Sequence, residues 1–211
     1  MNPTSNRVRQ NDPEGLRTRV LDAAADLFQV RGYHATSMKD LMQATGVSGG
    51  ALHHHFPTKK SLALAVIADR VAPDVRRTWI EPIRVAPSLA KGIAAVFAAI
   101  ISGVDARGRV AGCPLNNLAV ELVLSDADFR SAIDAVFVEW QSALAERIAE
   151  TRGGARLNRA KRSDAAAFIV SVYSGAMTLA KSRQNTLSLR SAANVLSHWL
   201  RDREFAAELR A

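Results

Sequence analysis

With one cysteine in 211 residues, Cys113, the chain can form no disulfide within itself and no cysteine-based zinc site. No apolar run approaches twenty residues, so no membrane span is expected. The opening segment MNPTSNRVRQNDPEG holds two arginines but no apolar stretch, so no secretory signal is expected and the cytoplasm is the default location. Alternation of period two, internal repeats and low-complexity tracts are all missing, which excludes most β architectures and repeat folds. Enzyme motifs are missing as well: no serine elbow, no His-Glu-x-x-His, no glycine-rich phosphate loop and no carboxylate pair with a partner base. No catalytic residue and no cofactor is therefore expected.

What is present is helical periodicity and positive charge. The net charge is +8 and the pI about 10.4, which favours a polyanionic partner. Residues 1–60 hold eight basic and five acidic side chains, so much of the excess lies elsewhere. Part of it is the run Arg152, Arg156, Arg159, Lys161 and Arg162, which is flanked by Gly153-Gly154 and reads as a solvated loop rather than a second DNA surface. A non-specific nucleic-acid binder would need a denser basic head.

Residues 1–11 read as a polar arm. Asp12-Pro13 supplies a cap and a proline suited to a first helical position. The stripe Leu16, Val20, Leu21, Ala24, Leu27, Phe28 then predicts a helix that Gly32 ends. Ser37 caps a second helix, with Asp40 three residues on as an aspartate version of the capping box, and Thr45-Gly46 stops it. Val47 should plug the turn. Ser48 caps a third helix of two turns, too short to stand alone, in which Leu52 and Phe56 share a buried face. Thr58 caps the next, a long helix that Pro73 should kink and Pro82 should end. Further helices are predicted from Pro87-Ser88 to Gly103, from Pro114 to about Leu124, from Ser125 to Gly153, and over about 163–182 and 188–203. The spacing of the first three fits a helix-turn-helix DNA reader, and it also fits an ordinary helical hairpin.

The run Arg17 to Leu62 resembles the N-terminal domain of TetR-family transcriptional regulators. It carries Ala24, Ala25, Leu27, Phe28, Gly32-Tyr33, Thr36-Ser37, Gly46-Val47-Ser48, Gly50, Leu52, His55-Phe56, Lys59 and Leu62 in the family's order, over about a fifth of the chain. Two positions depart: His53 stands where the family usually has Tyr, and Lys60 where it has Glu. The resemblance implies an all-α protein with a helix-turn-helix domain over 12–57 and a helical effector-binding and dimerisation domain over 58–211. It implies a homodimeric repressor that reads a palindromic double-stranded operator and leaves it when a small-molecule effector binds. Ser48, Gly49, Gly50, Ala51 and His54 would meet the groove, and Ser37, Lys39, His53 and Lys59 the phosphates.

The effector pocket of such a protein would draw on Trp79, Phe97, Ile101, Leu118, Phe137, Trp140, Tyr173 and Met177, with Asn116, Asn117 and Glu121 as polar points. Cys113 precedes Pro114 at a helix start, where the dipole favours a thiolate and would suit an electrophile or oxidant sensor; a small buried residue is the competing reading. Consecutive helical residues diverge by about 100°, so His53, His54 and His55 cannot converge on one ion, and no metal site is expected. The small residues of DAAAFIVSVYSGAMTLAK suit close packing inside the chain or across a dimer. The resemblance favours a dimer built on the last two helices.

Overall fold

The computed structural model describes residues 13–201; the arm over 1–11 and the Asp12 cap lie outside them. Among the described residues all regular structure is helical. Helix α1 spans Pro13–Arg31, α2 Met38–Thr45 and α3 Gly49–His55. A continuous helix α4 follows over residues 59–85. Next come α5 Leu89–Arg107, α6 Pro114–Leu122, α7 Ala127–Ala149, α8 Arg159–Arg183 and α9 Leu187–Arg201.

Helix α4 corrects the expectation that Pro82 ends it, for it runs on to Val85. A proline lacks the N–H of the helical ladder, and its ring collides with the carbonyl four residues back. Here a π turn precedes each proline, Ile67–Val71 before Pro73 and Arg76–Ile80 before Pro82. Ala72 N–H reaches Ile67 O and Glu81 N–H reaches Arg76 O, so the helix widens by one residue where the proline needs room.

Other boundaries moved for local reasons. Helix α5 continues past Gly103 to Arg107 and ends at Gly108, whose φ of 66° takes the left-handed conformation that closes a helix. Asp126, rather than Ser125, caps α7, while Ser125 Oγ donates to Leu122 O. Asn158 caps α8 through Lys161 N–H, so Arg159, Lys161 and Arg162 begin a helix instead of a loop. Two helices, α5 and α8, are long and apolar enough in composition to cross a bilayer. In the fold they are bundle helices with Ile93, Phe97, Ile169 and Tyr173 buried.

The core runs without a break from Val20 and Phe28 in α1 to Leu189 and Leu196 in α9. In the body, α5 packs on α9, α7 on α8, and α8 on α9. The start of α4 lies on α1, with Leu62, Ala63 and Val66 buried, which ties the first three helices to the rest.

Candidate nucleic-acid interface

The turn between α2 and α3 is built by short-range hydrogen bonds. Asp40 N–H donates to Ser37 Oγ at 3.2 Å, and Ser37 N–H donates back to Asp40 Oδ2 at 2.7 Å, closing the capping box. The Ser37 hydroxyl, which donates to Asp40 Oδ2, and then the Ser37 N–H, with Arg31 nearby, hold the Asp40 carboxyl below its ordinary pKa. Gly46, at φ 68°, ends α2 and sends its N–H to Met42 O. Val47 is buried in the turn, and Ser48 Oγ accepts from Ala51 N–H to start α3.

Helix α3 has seven residues and is held by burial rather than by propensity. Leu52 is 0% exposed and Phe56 3% exposed, on one side. Ser48, Gly50, His53 and His54 are exposed, and Gly49, Ala51 and His55 half-buried. A Cβ on Gly50 would meet nothing within 4 Å, whereas one on Gly49 would lie 3.4 Å from Met42 Sδ, so Gly50 points into open space and Gly49 borders α2. His53 Nδ1 lies 3.4 Å from Pro57 O, and the His54 and His55 rings meet edge to face at 5.4 Å. Ser37 and Lys39, at the start of α2, are exposed.

Lys59 and Lys60, adjacent in α4, have different surroundings. Lys59 Nζ sits 4.2 Å from the Tyr33 ring centroid and donates to His34 O at 3.4 Å. Burial lowers its pKa, against the pull of Glu121 and Asp40. Lys60 Nζ instead bridges Asp126 Oδ2 at 2.6 Å and Asp128 Oδ2 at 2.7 Å. Its hydrogen bonds to these carboxylates raise its pKa, and the one it makes to Asp126 lowers that carboxyl's. The anions that compensate a cation in the first turn of α4 are thus, for Lys60, this chain's own.

The same seam holds two residues first considered as pocket points. Asn117 Nδ2 donates to Gln29 Oε1 and to Ala111 O, each at 3.0 Å, and Gln29 Nε2 donates to Gly112 O at 2.7 Å. Glu121 accepts Tyr33 N–H at 2.8 Å and His34 N–H at 2.6 Å. Arg17 pairs with Asp69 at 2.5 Å and Arg70 with Asp22 at 2.6 Å, tying α1 to α4. Sequence reasoning missed Gln29, Asp126 and Asp128 as seam residues. Their partners lie far along the chain, and only the Asp-x-Asp pair at the start of α7 hinted at a cation nearby.

A sequence model described as "Bacterial regulatory proteins, tetR family" matches residues 20–66, which hold this helix-turn-helix. A second, described as "Transcriptional regulator LmrA/YxaF-like, C-terminal domain", matches residues 90–195, half of the chain. The chain belongs to the TetR family of transcriptional regulators. It is 25% identical over 173 residues to the HTH-type transcriptional regulator LmrA of Bacillus subtilis, covering 82% of this chain and 90% of that protein. Over 58 residues, 28% of this chain and 30% of the relative, it is 40% identical to the HTH-type transcriptional regulator UidR of Escherichia coli K12. The crystal structure of a TetR transcriptional regulator from Chloroflexus aurantiacus superposes with a TM-score of 0.74 at 28% identity, covering 89% of this chain and 94% of that one.

In this TetR-family regulator, Trp79, Phe97, Leu118, Trp140, Tyr173 and Met177 are all buried. Their aromatic rings interlock: Trp79 lies 4.8 Å from Trp140 and 4.7 Å from Tyr173, and Phe97 5.8 Å from Trp79. Phe137, half-buried, stacks on Trp140 at 6.5 Å. The space left among Asp74, Thr78, Cys113 and these rings is about 30 Å³, room for a water but not for a larger molecule. Trp140 Nε1 and Asn116 Nδ2 are buried there and in α6 without a hydrogen-bond partner among the described residues. Ile101 lies apart from the aromatic cluster, on an open groove of about 960 Å³ between α5 and α9.

Cys113 is buried. Loss of water pushes its thiol pKa up, while bonds from Asn116 and Leu115 at the start of α6 pull it down. Burial outweighs the helix terminus. Among the described residues no group of three His, Cys, Asp or Glu side chains is placed to hold a metal.

Proposed function

We propose that this protein is a homodimeric repressor that reads a palindromic operator with α3 and is released from it by a small-molecule effector. The observation that carries the reading is the division of α3 into a buried side, Leu52 with Phe56 beyond it, and an open side bearing Ser48, Gly50, His53 and His54. At its N-terminal end this open side carries only Ser48 and Gly50, which allows backbone and bases to come close. On this reading Ser48, Gly49, Gly50, Ala51 and His54 face the groove, and Ser37, Lys39, His53 and Lys59 hold phosphates.

The dimer would form on the outer faces of α8 and α9. Phe168 and Leu179 are each 47% exposed on α8, and Leu187 and Val195 each 65% on α9. Exposed Ser171 and Gly175 between the first pair let a second helix approach closely. An effector would act by prying open the closed aromatic cluster of Trp79, Trp140 and Tyr173, favouring a head spacing that no longer matches two half-sites.

Selection of bound duplexes from a random pool at near-physiological salt tests the reading. Recovery of one motif with two-fold symmetry is the expected result. Recovery of random sequence alone would sink it.

A further inference from the structure

We propose that Glu121 is a positioning residue for operator binding, holding the turn between α1 and α2, and Lys59 with it, in fixed orientation against the body. The proposal rests on the operator-binding reading above. Glu121 is in the last turn of α6, Pro114–Leu122, where the helix dipole disfavours a carboxylate and no basic residue of that turn offsets it. What compensates it comes from 88 residues away. The adjacent backbone N–H groups of Tyr33 and His34 donate to separate carboxylate oxygens, Oε2 at 2.8 Å and Oε1 at 2.6 Å. A carboxylate accepting two neighbouring main-chain donors fixes the plane of that turn more firmly than a single bond could.

The surroundings are cut to this contact. Gly32 has φ +91°, and a Cβ there would stand 3.2 Å from both Glu121 oxygens, so the chain comes this close only because residue 32 has no side chain. From the held turn, the Tyr33 ring packs against Phe28 and Phe129, each at 5.4 Å. The other edge of the turn receives Lys59, over the Tyr33 ring and on His34 O. The phosphate-contacting cation is therefore seated on the two residues whose N–H groups Glu121 holds. Glu121 touches no DNA on this geometry and acts through Tyr33, His34 and Lys59.

Glu121→Gln tests this, since it keeps the shape but removes the charge and sets an amide NH2 against one of the two donors. Measured in the full chain on the duplex selected by the wild-type protein, E121Q should weaken binding by about ten-fold. The slope of affinity against salt should stay at the wild-type value, because Lys59 keeps its charge and still reaches its phosphate once bound, only its placement before binding being loosened. Hydrogen exchange at the Tyr33 and His34 amides should speed up while the melting midpoint of the protein holds. If E121Q does not fold, Glu121→Asp, which keeps the charge one methylene short, should show the same effects more weakly. Wild-type affinity in E121Q, or unchanged exchange at Tyr33 and His34, would overturn the proposal. If the wild-type protein selects no duplex at all, the operator reading fails instead, and exchange at those two amides still decides whether Glu121 holds the turn.

Discussion

Truncating Leu52 to Ala strikes the reading helix without touching its open side. Leu52 is fully buried, so the change removes three carbon groups from a packed site. At about 0.8 kcal/mol per group the transfer loss is roughly 2.4 kcal/mol, and a cavity that cannot collapse brings the total to about 3 kcal/mol. A seven-residue helix has no stability of its own to absorb this, so the loss falls on its docking into the core through Leu52. If docking becomes the limiting step, about 3 kcal/mol corresponds to roughly a 100-fold loss of operator affinity for each head. The assay is fluorescence anisotropy on the selected duplex, run beside circular dichroism melting. We expect affinity to fall at least about ten-fold while the main unfolding transition of the body shifts little. Wild-type affinity in L52A would refute the reasoning, for α3 would then be held by something other than its buried leucine.

Lys59→Ala should weaken binding to all duplexes by a similar factor and reduce the salt slope by about 0.9 for each head, as loss of one phosphate contact requires; an unchanged slope would place Lys59 off the DNA. The bridge from Lys60 to Asp126 and Asp128 predicts a pH signature. The carboxyl of Asp126 titrates lower in the folded chain, so its contribution is present above the ordinary carboxylate range and lost as pH falls through its folded value. The ammonium of Lys60 titrates higher, so its share persists through neutral pH and is lost at strongly alkaline pH. Melting midpoints of Asp126→Asn and wild-type protein should therefore differ at pH 7 and draw together only as the pH falls below the ordinary carboxylate range, through the lowered folded value. Burial and a raised thiol pKa predict that Cys113 reacts slowly with iodoacetamide at pH 7 in the folded protein and rapidly after denaturation. Fast alkylation of folded protein would bring back the sensor reading.

Neighbouring residues alone determine most of the reading head. Ser37 with Asp40, Gly46, Ser48 and Thr58 act within a few residues of themselves, so the caps and turns they make could be read from the chain and recur in the structure. The all-α class was legible for the same reason, because period 3.6 is a local property. Proline misled the reading of α4, since relief by a π turn depends on the packing of the whole helix and leaves no mark in the sequence.

Only the tertiary structure decided what charged and polar side chains do across the seam. Lys60 stands out in the sequence only as a departure from the family's Glu, and its partners, Asp126 and Asp128, reach it only because α7 packs there. Glu121 and Asn117 looked like pocket points until α6 set them against the end of α1 and the turn that follows it. The aromatic cluster gives the same lesson. Composition shows that Trp79, Trp140 and Tyr173 are large and apolar, but whether they enclose a space or fill it depends on the distances between three helices, and here they fill it. Caps and turns are settled by bonds within a few residues, whereas ion pairs and cavities are settled by elements dozens of residues apart, whose meeting no local pattern records.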